Sequence, residues 1–150
     1  MRITMSNDFA TLFARPNQPL SQHLNNVSIL ATEFAMKCGM AEILLTAGFF
    51  HDLGKVSNEF QVKLQNETDE RIPHSIYGAK KVYENLRIAP PIADMLANII
   101  AMHHGRLHDY ISPSGDTPLI DELENTQLLP DFPDAPEADA TLLWKTFQKR

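Results

Sequence analysis

The chain has 150 residues, 43% of them hydrophobic and 21% charged, a globular composition that at roughly 100–200 residues per domain reads as one domain over 1–150. No apolar run approaches the ~20 residues of a membrane span, and Met1 to Asp8 shows no basic segment followed by an apolar stretch, so a cytoplasmic protein with no membrane partner is expected. Thirteen basic against nineteen acidic residues give a net charge of −6, which excludes the basic footprint of a dedicated nucleic-acid binder; two divalent cations would bring it to −2 (−6 + 4), so a metal-dependent enzyme acting on phosphodiesters survives the objection.

Reading from the N-terminus, Pro16 and Pro19 precede Ser21, a candidate helix cap, and Val27, Leu30 and Phe34 then follow 4-3-4 steps, with His23 on the same stripe, until Gly39. The lone Cys38 allows no internal disulfide and is expected to be a small core residue. Met40 to Leu53 is apolar on most sides and stops at Gly54, as a buried central helix would, with His51 and Asp52 in its last turn. A shorter amphipathic piece around Phe60 and Leu64 leads into a polar loop, Asn66 to Arg71, and Pro73 stands before His74, which opens the next helix. That helix carries Ala79, Val82, Tyr83 and Leu86 on one side, and Gly78, one turn on, leaves room beside the histidine. Pro90 and Pro91 pre-set another start, followed by the row Ile92, Leu96, Ile99, His103 and a parallel row reaching His104. Alternating patterns with tight hairpin turns are absent, so the fold reads as all-α with no strands. Five of the ten prolines fall between Pro113 and Pro136, which makes 110–137 a long irregular segment before a last helical stretch from about Ala138 to Phe147. Phe49, Phe50 and Phe60 are read as core, and His108 and Asp109 as loop residues.

The chemistry concentrates in His23, His51, Asp52, His74, His103 and His104, five of the six histidines and one carboxylate, each at a helix end or on an apolar stripe. An imidazole in such a place needs both ring nitrogens satisfied. A divalent metal on one and a carbonyl or carboxylate on the other does this. The adjacent pair His51–Asp52 adds a carboxylate whose two oxygens can bridge two cations about 3.5–4 Å apart. So nitrogen-rich a ligand set favours manganese, iron, cobalt or nickel over magnesium.

His51-Asp52-Leu53-Gly54-Lys55, then His74-Ser75-Ile76-Tyr77-Gly78-Ala79, then His103-His104-Gly105 resembles the HD nuclease domain of the helicase-nuclease of CRISPR type I interference, over roughly Ser21 to Asp109. The resemblance implies an HD-domain helical bundle, one metal held by His23, His51 and Asp52, and a second held by Asp52, His74, His103 and His104. It implies Asp52 and Lys55 as catalytic residues, with Lys55 near the phosphate; a solvated lysine past a helix end is the plain reading of the same residue. It further implies single-stranded DNA as substrate, delivered by a helicase module and a CRISPR surveillance complex. That family also supplies an aspartate downstream of the His-His motif. Asp131, Asp134 and Asp139 do not match it, so the resemblance implies a domain incomplete at its C-terminal end. No nucleotide-binding loop of the Gly-Lys-Ser/Thr type is present, so ATP hydrolysis by that route is not expected.

Two other readings remain. A nucleotide or cyclic-nucleotide phosphohydrolase of the wider HD superfamily would share the His-Asp pair. It does not need all the extra histidines, and Gly105 stands after His104 where cyclic-dinucleotide hydrolases place glutamate and a Gly-Tyr-Pro pattern. An inactive binding or scaffolding fragment is the third reading, and metal content separates the three.

Overall fold

The computed structural model describes residues 11–84, 90–105 and 109–128. A short antiparallel hairpin, β1 (Phe13–Arg15) with β2 (Gln18–Pro19), leads into α1 (Leu20–Ala35). A 3₁₀ turn at Met36–Cys38 joins α1 to α2 (Ala41–Phe50), and another at Leu53–Val56 joins α2 to α3 (Asn58–Asn66). There follow α4 (Ser75–Tyr83), α5 (Pro90–Ala101) and α6 (Pro118–Asn125). The fold is the expected all-α bundle, with α1 packed on α2 and α4 on α5, but the expectation of no strands is corrected by the short β1–β2 hairpin. Among the described residues, no helix is long and apolar enough to cross a membrane.

Several local expectations are corrected. The hairpin turns through Asn17 at φ 64°, left-handed backbone that asparagine tolerates. It also replaces the Ser21 cap, because the cap position falls two residues earlier, at Pro19, and the Leu20 N–H is satisfied by the Leu12 carbonyl at 2.7 Å. α1 buries Leu20, Leu24, Ser28 and Ala35, while Leu30 and Phe34 of the anticipated stripe face outward. The reason is close approach: a methyl on Gly48 of α2 would come within 2.8 Å of the Ser28 Cα, so the small-residue side of α1 is the one that reaches its neighbour. Cys38 is exposed, not core, with its thiol directed to the Ala35 carbonyl.

The segment expected to be irregular over 110–137 contains α6, which buries Leu119 and Leu123 against the core and is tied to α4 by a 2.7 Å hydrogen bond from Lys80 Nζ to the Leu123 carbonyl. Phe49, Phe50 and Phe60 are buried as anticipated, Asp109 lies in irregular backbone, and Leu86, His108 and the stretch from Ala138 to Phe147 lie outside the described residues.

Candidate metal centre

Four chain segments deliver the site. His23 comes from the first two turns of α1, on the side that faces the core. His51 caps the C-terminus of α2 and Asp52 follows at the entrance to the 3₁₀ turn. His74 is the N-cap of α4, and His103 and His104 lie in the turn that ends α5. Two glycines set these segments at the necessary closeness. A methyl on Gly54 would come within 2.7 Å of the His74 carbonyl carbon and 2.8 Å of its Cα, so only glycine lets the Asp52 turn abut the start of α4. The space at Gly78 is taken up by the carbonyl of Phe50, not by the region beside His74: Gly78 lets α4 lie against the end of α2 that carries His51.

The five histidines and Lys55 converge on the Asp52 carboxylate, which is only 3% exposed. Its Oδ2 lies 2.9 Å from His23 Nε2, 3.3 Å from His51 Nε2 and 2.7 Å from Lys55 Nζ. Its Oδ1 faces the other three rings, with His74 Nε2 at 3.2 Å, His103 Nε2 at 3.4 Å and His104 Nε2 at 3.9 Å. The carboxylate thus divides the histidines into two donor groups, His23–His51–Asp52 and Asp52–His74–His103–His104, either of which could hold a metal ion.

Tautomers strengthen the case. His51 Nδ1 donates to the Gly48 carbonyl at 2.7 Å, His74 Nδ1 to Ile72 at 3.0 Å and His103 Nδ1 to Ile100 at 2.7 Å. A neutral ring that donates from Nδ1 turns a bare lone pair outward at Nε2, and here three such lone pairs face a carboxylate. Oδ1 sits within ion-pair range of three rings yet accepts no well-formed hydrogen bond. Ring nitrogens also meet each other, His74 Nε2 to His104 Nε2 at 2.9 Å and His23 Nε2 to His51 Nε2 at 3.3 Å. Two imidazoles bound to one cation at about 2.1 Å have nitrogens ~3.0 Å apart at right angles and ~3.4 Å apart at the tetrahedral angle. The donor set therefore fits a metal ion at each group.

Electrostatics agree. Burial alone would raise the Asp52 carboxyl, but the rings of His103, His51 and His74 outweigh it and hold the group well below the usual carboxylate range. For His103, burial is likewise overcome, here by Asp52 and the Ile100 carbonyl, and its pKa is raised. His23 is lowered, chiefly by burial against the opposing pull of Asp52, and His104 is lowered by burial and the neighbouring rings of His103 and His74.

Lys55 is not the solvated lysine of the plain reading. It is 8% exposed, its ammonium reaches Asp52 Oδ2 and, at 3.5 Å, the Ala14 carbonyl of β1. Sequence reasoning missed the residue behind this arrangement. Gln61 of α3 accepts from the Phe13 N–H at 3.1 Å and donates to the Phe13 carbonyl at 2.9 Å and the Lys55 carbonyl at 2.6 Å. Its partners lie up to 48 residues away, so no local pattern marks it.

A family model described as the HD domain matches residues 20–131, three-quarters of the chain. The chain belongs to the HD domain family. Comparison with curated proteins finds no match. The matched span of this HD domain contains every residue of the two donor groups, and the centre has the donors of a metal-dependent phosphohydrolase.

Proposed function

We propose that this HD domain is a nuclease that cleaves single-stranded DNA in CRISPR type I interference, a strand fed to it by a helicase module and a surveillance complex. The observation that supports the reading best is the division of Asp52 between two donor groups of two and three imidazoles. A single-metal nucleotidase has no use for so many ligands, whereas a phosphodiester has an attacking and a leaving oxygen that both need stabilising. Hydrolysis consumes one water, breaks one P–O ester bond and leaves a monoester and a hydroxyl. When bound, the metal pair would supply an acidified water and the charge to offset the phosphate's.

Six residues of this chain would hold that pair: His23 and His51 on one side, His74, His103 and His104 on the other, and Asp52 between them. The surrounding rings hold the Asp52 carboxyl below the usual carboxylate range, which favours the anion that both sides would share. Lys55 acts through Asp52 as a positioning residue, fixing Oδ2 from below while the hairpin excludes water over its ammonium. The three Nδ1 clamps keep Nε2 of His51, His74 and His103 aimed inward without a ligand to hold them.

The test is metal analysis with manganese, iron, cobalt and nickel, combined with degradation assays on single-stranded DNA, duplex DNA and cyclic dinucleotides. Two metal equivalents and a preference for single-stranded DNA, both lost in Asp52→Ala, are expected. One equivalent with cyclic-dinucleotide hydrolysis would replace the nuclease with a nucleotide phosphodiesterase, and no bound metal would leave a scaffold.

A further inference from the structure

A cleft of about 510 Å³ opens beside the metal centre, walled by Phe60, Pro73, His74 and His104, with Lys63 and Arg71 at its rim. Its size lies in the range of sites that enclose small organic ligands. His74 and His104 belong at once to the cleft and to the larger donor group, so the cavity adjoins the place where a scissile phosphate would be held. Apart from histidine, the charged side chains that line it are both cations, in a chain with nineteen acidic and thirteen basic residues. Neither Lys63 nor Arg71 forms a salt bridge among the described residues. Glu67, Asp69 and Glu70 precede Arg71 on the same loop, yet none of them lines the cleft. Ser75, the first residue of α4, lines the cleft, and that helix start has no side-chain cap and no acidic residue in its first turn.

We propose that this cleft is a second phosphate subsite, in which Arg71 and Lys63 hold the phosphate next along the strand from the one at the metal centre. The inference rests on the phosphodiester reading and adds what that reading does not contain: the centre selects substrates with a neighbouring phosphate, and these two residues measure its distance. A guanidinium can grip a phosphate through two parallel hydrogen bonds and a lysine adds a mobile point charge. The rings of Phe60 and His74, both lining the cleft, meet edge-to-face with centroids 5.5 Å apart.

The experiment uses the manganese-loaded chain and three probes in calorimetry: thymidine monophosphate, thymidine with phosphates on both sugar hydroxyls, and thymidine diphosphate with both on one hydroxyl. The doubly substituted thymidine is expected to bind about tenfold or more tighter than the monophosphate, the worth of one charged hydrogen-bonded contact. That advantage should vanish in Arg71→Ala/Lys63→Ala and persist in the charge-keeping exchange Arg71→Lys/Lys63→Arg. No advantage in the wild type, an advantage that survives the double alanine variant, or tighter binding of the diphosphate would each overturn the subsite. Hydrolysis of bis(p-nitrophenyl) phosphate, which carries one phosphate only, is measured in parallel. Its absence counts against the phosphodiesterase reading, while the binding ratios judge the subsite separately.

Discussion

Gly54→Ala is the sharpest test of how the centre is built. The added methyl would sit 2.8 Å from the His74 Cα and nearer still to its carbonyl oxygen, against an ordinary contact distance of 3.4 Å or more. The start of α4 must therefore retreat by at least 0.6 Å (3.4 − 2.8), and His74 Nε2, now 3.2 Å from Asp52 Oδ1, retreats with it. Overpacking of this kind costs about 1–3 kcal/mol, which for a chain of this size lowers the melting temperature by about 2–12 °C. A displacement approaching 1 Å at a reacting centre costs up to about a hundredfold in rate. Calorimetric manganese titration should show weakened binding at the His74–His103–His104 group with the His23–His51 group spared. Gly105→Ala is the control: it adjoins His104, but a methyl there meets nothing within 4 Å. If Gly54→Ala kept wild-type melting and metal affinity at both groups, the claim that glycine contact positions His74 would be wrong.

Asp52→Ala should abolish metal uptake and cleavage, whereas Lys55→Ala should retain measurable cleavage while losing about 3 kcal/mol of stability, as expected when one partner of a buried ion pair is removed; comparable losses of activity would refute the ranking. Metal added stepwise should fill the group with three imidazoles before the group with two, which anomalous scattering at half occupancy reads directly. Because the His103 pKa is raised in the metal-free protein, the ring holds its proton to higher pH than a free imidazole and metal must displace it. Affinity should accordingly rise with pH up to the His103 value and level off above it. Calorimetry below that value, in buffers of different ionisation heats, should detect a released proton; binding without proton release would contradict this.

The convergence of the six candidate residues was legible because imidazoles on apolar stripes lack a role unless something satisfies them, and because helix starts and stops such as Pro73 before His74 are local signals. What failed was choice between faces. α1 carries apolar residues on adjacent stripes, and only the partner surface at Gly48 decides that Leu24 and Ser28 go inward while Phe34 stays out. α6 was hidden by the prolines around it, since one of them, Pro118, sits in the first turn where helices accept it. Gly54 was read as a helix stop and Gly78 as space for His74. In both cases the sequence marks a missing side chain but not the backbone that fills the gap.

The clamps from His51 to Gly48 and from His103 to Ile100 each span three residues back into a helix end, onto a carbonyl that the helix itself leaves unpaired. Ring orientation is thereby counted from the end of the rod, so helix length becomes part of the ligand specification. Inserting one residue inside α5 would turn everything after it by about 100° and advance it ~1.5 Å. His103 would keep its own clamp and point Nε2 away from Asp52. A variant of this chain that is to retain the chemistry can exchange side chains of α2 and α5 within the limits of packing, but should accept insertions and deletions only in the connecting loops.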